Sequence, residues 1–378
     1  MAKSQSPPRV VHLTSVHDAF DNRIFHRECR ALAKAGYDVV IVGPAARDTT
    51  NNGIRVRAVR RARNRLERMT LTALAVYRGA LAEKGAIYHF HDPELIPIGM
   101  LLRLTGKQVV YDVHEDVPAD LADKTWLPRQ VRPVAAAAAR VVSRAAERAF
   151  SGLVPAWPNI ARRFRPENTV VVQNYPILED LVVERAAPYQ ERAPVAVYMG
   201  GLGATRGIAE LVAAMNDEAM PADARLVLVG AFESEAFASK VRAMPGWSKV
   251  DERGWLDGDD LWHTVAGARV GVATLSRTRA FVETMPTKLY EYMALGLPVV
   301  ASDFPAWREV VAASRCGLLV DPSDCGAIAR AIAYLLRNAR EASEMGARGR
   351  AAVREHYNWE TESLKLLALY DRLARVAG

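Results

Sequence analysis

Residues 283–298 have the sequence Glu283-Thr284-Met285-Pro286-Thr287-Lys288-Leu289-Tyr290-Glu291-Tyr292-Met293-Ala294-Leu295-Gly296-Leu297-Pro298. Proline at position 286 suits the first turn of a helix, where its missing N–H needs no partner. Glycine at position 296 suits the residue after a helix, where a left-handed backbone is needed. We therefore predict a helix from about Pro286 to Leu295, followed by a buried strand at Val299–Ala301.

Three charged residues of this stretch are placed where an anionic ligand would meet the helix. Lys288 falls in the first turn, Glu291 follows three residues later on the same face, and Glu283 precedes the helix. A helix N-terminus offers free N–H groups and a positive partial charge to an anion. The order of the three charged residues along the chain predicts a sugar near Glu283, a diphosphate near Lys288 and a ribose near Glu291. Taken singly, each of these residues is more often a solvated surface charge, and only their combination favours a ligand site.

Short apolar runs alternate with helical stretches on both sides of this segment, a pattern typical of parallel α/β sheets. Three prolines interrupt the rhythm in the predicted linker, residues 177–194, and just before it. We predict two doubly wound Rossmann-like domains, residues 1–176 and 195–356, with a C-terminal helix over 357–378 that packs toward the first domain. The predicted strands are Val10–Leu13, Val39–Val42, Ala86–Phe90, Gln108–Tyr111, Gly152–Pro155, Thr169–Gln173, Ala196–Met199, Leu226–Val229, Val270–Ala273, Val299–Ala301 and Gly317–Val320.

The composition is that of a globular enzyme: of 378 residues, 50% are hydrophobic and 25% are charged. No apolar run approaches the ~20 residues that span a bilayer, and the first residues lack the apolar stretch of a signal peptide. We therefore expect a cytoplasmic protein. The three cysteines are scattered, without disulfide or metal-ligand spacing.

The positive charge is concentrated in the first half. Residues 1–176 hold 27 Lys and Arg against 16 Asp and Glu. Arg140, Arg144 and Arg148 recur every four residues, so they share one helix face. With a dense arginine run over residues 55–68 and the nearby Trp126, Leu127 and Trp157, this predicts peripheral contact with an anionic membrane. The alternative is a solvated basic face; we expect no nucleic-acid partner.

A glycine-rich turn follows the strand Ala196–Met199 and opens a helix. Its backbone N–H groups can approach a phosphate closely, which makes Gly200, Gly201 and Gly203 candidate nucleotide contacts. A dinucleotide fingerprint would need glycine at position 206, which is Arg206. The turn therefore favours a phosphate site over an oxidoreductase.

The stretch 283–298 resembles the glutamate-x7-glutamate motif of retaining glycosyltransferases with the GT-B fold, in particular glycosyltransferase family 4. The match consists of Glu283 and Glu291 with the glycine and proline that follow. The resemblance implies that Glu283 contacts the donor sugar and Glu291 the ribose, with Lys288 on the phosphates and Leu289 in the same donor site. Gly201 stands where the family usually has arginine, so Lys288 and Arg206 must balance the diphosphate charge.

Further motifs of the first half are similar to this family. The turn Tyr88-His89-Phe90-His91-Asp92 resembles its His-x-His-Asp turn, which implies that His91 lies beside the donor sugar. The segment Asp21-Asn22-Arg23-Ile24 matches a subgroup, and so does the segment that contains His114 and Glu115. The resemblance implies that Asp21, Arg23, His114 and Glu115 face the acceptor.

The function implied is hexosyl transfer with retention of configuration, from a nucleoside diphosphate sugar to a sugar, lipid-linked or small-molecule acceptor. No cofactor or metal is expected to be required. Asp257-Gly258-Asp259 looks like a metal-binding Asp-x-Asp motif, but we interpret Asp259 or Asp260 as a helix N-cap. Two alternatives stay open: a sugar-nucleotide epimerase of the same shape, and a non-catalytic binder that uses the basic half.

Overall fold

The computed structural model describes residues 8–114, 130, 132–181 and 187–377. Internal contacts divide the chain into two units: the first unit is Met1–Asn174 with Glu360–Gly378, and the second unit is Tyr175–Trp359. The second unit thus begins ahead of the predicted linker. One linker residue, Tyr189, is buried within it, and its hydroxyl donates to the carbonyl oxygen of Arg269.

The first unit is built on a seven-stranded sheet that is parallel except for one edge hairpin. Its strands are β1 (Arg9–Leu13), β2 (Asp38–Pro44), β3 (Thr49–Asn51), β4 (Ile54–Val59), β5 (Ile87–Phe90), β6 (Gln108–Val113) and β7 (Gly152–Pro155). They lie in the order β3-β4-β2-β1-β5-β6-β7. Because the direction of strand addition reverses between β1 and β5, the carboxyl ends of these two strands border the place where doubly wound sheets bind ligands.

The second unit is built on a six-stranded, fully parallel sheet. Its strands are β8 (Val195–Met199), β9 (Arg225–Val229), β10 (Val250–Gly254), β11 (Val270–Ala273), β12 (Val299–Ser302) and β13 (Gly317–Val320). They lie in the order β10-β9-β8-β11-β12-β13. Here the reversal falls between β8 and β11, so the glycine-rich turn after β8 lies at the reversal point.

Helices connect the strands, and a π-helical turn, Ile24–Cys29, leads into the first of them. The α-helices are α1 (Arg30–Lys34), α2 (Arg65–Glu67), α3 (Ala73–Glu83), α4 (Ile96–Leu104), α5 (Arg132–Ala149), α6 (Pro158–Ala161), α7 (Ile208–Ala214), α8 (Glu235–Arg242), α9 (Gly258–Ala266), α10 (Arg279–Glu283), α11 (Thr287–Ala294), α12 (Pro305–Ser314), α13 (Cys325–Arg337), α14 (Ala339–His356) and α15 (Trp359–Ala377).

The predicted pair of doubly wound α/β sheets is confirmed, with differences at the edges. Strand β4 overlaps the start of the arginine run, and its Ile54 and Val56 are buried on either side of Arg55; we had interpreted the run as a basic surface. The turn before β4 contains Gly53 with φ 76°, as a tight hairpin requires. The prediction of a regular strand at Thr169–Gln173 is wrong. Its N–H groups at positions 170 and 172 donate to β7, but only one isolated bridge forms.

Helix α15 packs within the first unit although it follows the whole second unit in sequence. Leu369 lies against Gly152 at the start of β7, where a Cβ would come within 3.2 Å of the leucine methyl groups. Tyr370 is fully buried, with its hydroxyl 2.7 Å from Nδ1 of His89. The carboxylate of Glu362 accepts the backbone N–H of Gln173 at 2.8 Å. The helix therefore completes the interior of the first unit.

Tyr292 of α11 ties this helix to the strand beneath it. Its hydroxyl accepts the backbone N–H of Met199 at 2.9 Å, and its ring occupies the space that a Cβ on Gly271 would need. We expect Tyr292→Phe to lower the free energy of unfolding by about 1–3 kcal/mol, because a buried N–H loses its acceptor. Urea denaturation measures the loss. Tyr334→Phe is the matched control, since its hydroxyl bonds Glu341 at the surface. Equal losses in the two variants would contradict this assignment.

Candidate functional site

The glycine-rich turn of the second unit brings a lysine against the backbone. Gly200 has φ 116°, a conformation that side chains disfavour, and a Cβ there would lie 2.9 Å from Nζ of Lys288. Gly207, with φ 72°, opens α7 so close to β11 that a Cβ would lie 1.9 Å from the carbonyl oxygen of Thr274. The turn therefore needs glycine at both positions, and it places the ammonium group at the carboxyl end of β8.

Lys288 and Arg206 form a pair of neighbouring cations that rest on aromatic rings. Nζ of Lys288 lies 3.8 Å from the centroid of the Tyr198 ring, and the guanidinium of Arg206 lies 4.7 Å from that of Phe281. Burial and then the charge of Arg206 lower the pKa of Lys288 to about 7, against the opposite influence of Glu291. Like charges held together raise the energy of the free protein, so this pair suits a multiply charged anion such as a diphosphate.

The two glutamates of the predicted motif lie in the same unit, in different surroundings. Glu291 is partly buried on α11 and close enough to Lys288 to raise its pKa. Glu283 does not lie in a loop, contrary to our prediction. It ends the short helix α10, with its side chain 45% exposed and 3.6 Å from Nε of Arg279. Pro286 is the N-cap of α11 and not its first helical residue, because its ψ of 137° is extended.

Three of the expected nucleotide contacts have surroundings that the sequence did not reveal. A Cβ on Gly203 would lie 2.4 Å from Oε2 of Glu233, whose other oxygen accepts the N–H of Ala204 at 3.1 Å. This glycine therefore makes room for a carboxylate that we had not predicted. Leu289 is fully buried, so its side chain packs in the core. Gly201 has open space where a side chain would stand.

The segment Asp257-Gly258-Asp259, which looks like a metal-binding motif, lies at the start of α9. This helix begins at Gly258 with Asp257 as its N-cap, and the cap side chain makes no hydrogen bond. The predicted capping by Asp259 or Asp260 is therefore wrong, because the N-cap lies two or three residues earlier. Both carboxylates fall in the first turn, where their charge stabilises the helix dipole.

In the first unit, a buried polar cluster lies at the carboxyl ends of β1 and β5. His12 and His89 are register partners on these strands, with ring centroids 4.7 Å apart. Nε2 of His91 is 2.9 Å from Nδ1 of His12, and its Nδ1 is 3.3 Å from a carboxylate oxygen of Asp112. The four residues are at most 1% exposed. Both ring nitrogens of His91 thus face protein groups, which the sequence did not predict.

Arg23, which we expected to face the acceptor, lies inside this cluster at 3% exposure. Its Nε and Nη2 donate to the two carboxylate oxygens of Asp112 at 2.9 and 3.0 Å, and Nη1 donates to the carbonyl oxygen of Val172 and to Oδ1 of Asn174. These bonds leave it unavailable to an acceptor, so the expectation is corrected. Burial alone would raise the pKa of Asp112, but Arg23 and the neighbouring histidines hold it well below its usual range.

A more accessible layer lies next to the buried cluster. Asp21 accepts the N–H groups of Arg23 and Ile24 at 2.7 and 3.1 Å, which fixes the start of the π-helical turn, and its side chain stays 31% exposed. His114 is 19% exposed, and burial lowers its pKa to about 4. His17, which we had not predicted, lies 3.4 Å from Asp92. The expected acceptor residue Glu115 lies outside the described residues.

Two families match this chain in tandem. The Glycosyl transferase 4-like domain matches residues 22–175, and Glycosyl transferases group 1 matches residues 193–338. The GDP-mannose-dependent monoacylated alpha-(1-6)-phosphatidylinositol monomannoside mannosyltransferase of Corynebacterium glutamicum is 30% identical over 176 residues, which are 46% of this chain and 45% of that protein. The chain spans less than half the length of the curated relatives it matches.

Solved structures resemble the whole chain. Sucrose-phosphate synthase from Thermosynechococcus elongatus superposes with a TM-score of 0.75 at 21% identity, over 98% of this chain and 100% of that one. Anabaena HepE in complex with UDP-glucose gives 0.71 at 14% identity, over 97% and 100%. At these identities the likeness establishes the fold, and the predicted GT-B architecture is confirmed.

The lowered pKa of Lys288 predicts a pH dependence of anion binding. In the free protein the ammonium form predominates only below about pH 7. An anion that pairs with the ammonium raises this pKa, so binding above pH 7 takes up a proton. We expect the affinity for a nucleoside diphosphate to fall as the pH rises above 7, by up to about tenfold per pH unit. Calorimetric titration at several pH values measures it. The Lys288→Met variant, titrated in parallel, should lose this pH dependence of the affinity. An equal change of affinity with pH in the two proteins would contradict the role of Lys288.

Proposed function

Because this chain belongs to the group 1 glycosyltransferases, we propose that it transfers a hexose from a nucleoside diphosphate sugar to an acceptor hydroxyl. The observation that carries the proposal is the cation pair, Lys288 and Arg206, beside Gly200 at the carboxyl end of β8. One relative is named for its use of GDP-mannose, and one structural neighbour was solved with UDP-glucose. Both donors present a diphosphate, which is the chemistry that this site matches.

The proposed mechanism rests on stabilisation of the leaving group. Cleavage of the bond between the anomeric carbon and the phosphate oxygen adds negative charge to the diphosphate. Lys288, Arg206 and the free N–H groups of the first turn of α11 stabilise that charge, and bound donor raises the pKa of Lys288 so that it is an ammonium at neutral pH. With two protein cations in this role, transfer needs no metal at the donor phosphates.

We propose that the anomeric configuration is retained. The acceptor hydroxyl attacks from the face that the diphosphate leaves, the departing phosphate oxygen takes the hydroxyl proton, and Glu283 orients the donor sugar. The acceptor is a sugar, a lipid-linked sugar or a small molecule, in polysaccharide, glycolipid or natural-product glycoside synthesis. Asp21 and His114 are its proposed contacts because they keep exposed atoms in the segments that follow β1 and β6. We place the reaction in the cytoplasm.

Substitution of the cation and of the sugar-side glutamate tests the donor site. We expect Lys288→Met to lower kcat by about 10²–10³-fold, since it removes charge stabilisation that acts mainly in the transition state. Glu283→Ala is expected to reduce the rate through the donor sugar. The measurement is release of the nucleoside diphosphate from UDP-glucose, GDP-mannose and other donors, chosen by a thermal-shift screen.

Lys240→Met is the matched control, because Lys240 is an exposed lysine on α8 of the same unit. It should retain the wild-type rate. Full activity in both Lys288→Met and Glu283→Ala would refute these roles. Conversion of the donor sugar in the absence of any acceptor, followed by NMR, would instead identify an epimerase.

We also propose that helix α5 contacts an anionic membrane. None of the described helices is long and apolar enough to span a bilayer. Arg140, Arg144 and Arg148 are exposed on α5, as is Val141 at 66%. The arginine run of residues 55–68 contributes less positive charge to this proposed membrane surface than we expected, because most of its members pair with carboxylates. Trp157 packs against the core, and the other two expected apolar residues, 126 and 127, lie outside the described residues.

Charge reversal on this helix tests the membrane contact. We expect the triple variant Arg140→Glu, Arg144→Glu, Arg148→Glu to lose sedimentation with phosphatidylglycerol-containing vesicles, because each arginine near an anionic surface contributes about 1 kcal/mol. Arg330→Glu, at an exposed site on α13, is the control and should sediment as the wild type does. Failure of the wild type to sediment with these vesicles at low salt would contradict the proposal.

A further inference from the structure

A histidine and an aspartate form a pair at the carboxyl edge of the first sheet. His17 follows β1 and Asp92 follows β5, the two strands between which the strand order reverses. Nε2 of His17 lies 3.4 Å from Oδ1 of Asp92, and the side chain of Asp92 is buried, whereas that of His17 is 37% exposed. An accessible imidazole is therefore held against a buried carboxylate at the place where doubly wound sheets bind ligands.

The carboxylate of Asp92 is fixed by the loop that carries His17. Its Oδ2 accepts the hydroxyl of Thr14 at 2.8 Å and the backbone N–H groups of Ser15 and Val16 at 2.6 and 3.2 Å. The Thr14 hydroxyl oxygen also accepts the backbone N–H of His17 at 3.0 Å. Because these bonds to the carboxylate all go to Oδ2, Oδ1 is the oxygen that faces the imidazole. One buried carboxylate thus organises the loop after β1 and orients the ring.

Nδ1 of His17 is the ring nitrogen that faces away from this carboxylate. It lies 3.9 Å from Oδ2 of Asp21, which is too far for a direct hydrogen bond. Asp21 is 31% exposed, and the ring of His114, which is 19% exposed, has its centroid 5.6 Å from that of His17. A hydroxyl group beside Nδ1 can donate one hydrogen bond and accept another. These three side chains therefore suit a ligand that carries several hydroxyl groups.

The charges around His17 disfavour an anionic ligand. Burial alone would raise the pKa of Asp21, but the backbone N–H groups of Ile24 and Arg23 hold it below its usual value, so Asp21 is a carboxylate at neutral pH. Burial lowers the pKa of His114 to about 4, so this imidazole is neutral at pH 7. A phosphate, which proteins bind through arginine and lysine, would meet a carboxylate here instead. Three arginines of the neighbouring segments already face carboxylates: Arg23 faces Asp112, Arg61 faces Asp18, and Arg68 faces Glu94.

We propose that His17, oriented by Asp92, determines the specificity for the acceptor, and that the reacting end of the acceptor is an uncharged, hydroxyl-rich group such as an unphosphorylated sugar. Nδ1 of His17 and the carboxylate of Asp21 bind its hydroxyl groups. Asp92 is a positioning residue, because it acts through the imidazole and is itself buried. The inference rests on the proposed transferase function, since it names the chemical class of the second substrate of that reaction.

The first test compares acceptors that differ only by a phosphate group: glucose with glucose 6-phosphate, mannose with mannose 6-phosphate, and fructose with fructose 6-phosphate. Saturation-transfer NMR measures their binding to the full chain, and release of the nucleoside diphosphate measures their use. We expect the neutral member of a pair to bind and react at least about tenfold better, and Asp21→Asn to narrow that difference because a negative charge is removed. Equal or better use of the phosphates, or no binding of any neutral sugar, would overturn the inference and leave the transferase function standing. Binding of a neutral sugar without release from any donor would instead contradict the transferase function.

The second test uses substitutions of the pair. We expect His17→Phe to raise the KM for the neutral acceptor by about tenfold with the donor KM unchanged, because a hydrogen bond to the acceptor is lost. His17→Asn should restore part of that loss, since its amide group stands near the position of Nδ1. Asp92→Asn should also raise the acceptor KM and not the donor KM, because the imidazole is no longer oriented.

His356→Phe is the matched control, because this exposed histidine also has a carboxylate neighbour, Glu355 at 3.6 Å, but lies in the second unit. It should keep both KM values. Equal changes of the donor and acceptor KM in the His17 and Asp92 variants would indicate a merely structural role and would overturn the assignment, as would a wild-type acceptor KM in His17→Phe. Should these variants fail to fold, the comparison of neutral and phosphorylated sugars with the wild type decides alone.

Discussion

The approach of the Lys288 ammonium to the backbone of Gly200 is the contact on which the donor-side geometry depends. It requires a residue without a side chain at the end of β8, a helix that begins beside that turn, and an aromatic face, Tyr198, beneath the charge. Tyr292 locks the same helix to the strand through Met199. The turn, the helix and the strand are therefore adjusted to one another, so that a partly desolvated cation is available where a phosphate would bind.

The first unit differs from the donor side because it holds several charged side chains in its interior. Arg23 balances Asp112, and its other N–H groups hold the chain near Asn174 just before the second unit begins. Glu28 is left with no hydrogen bond. In a low-dielectric interior, such a network is stable only when its charges are compensated, and here one guanidinium, that of Arg23, lies close to two buried carboxylates.

The sequence was sufficient for the architecture and for the helix α11 that carries Lys288 and Glu291, because both depend on local patterns. Periodicity, Gly296 and the spacing of Lys288 and Glu291 act within one or two turns of chain. It was not sufficient for Arg23 or Leu289, since their burial is decided by residues far away in sequence. A histidine within the apolar run of β1, His12, was the visible signal of the polar cluster. Its partners could not be identified without the register that pairs β1 with β5.

Helix α15 gives the first unit a dependence on the order of synthesis. Residues up to Asn174 leave the ribosome before the second unit, yet the hydroxyl that lies near both His12 and His89 belongs to Tyr370, which follows the second unit in sequence. The nascent first unit must therefore wait, with part of its polar interior open to water, while the entire second unit is translated and can fold on its own. The first unit can therefore complete its interior only after the second unit has been synthesised.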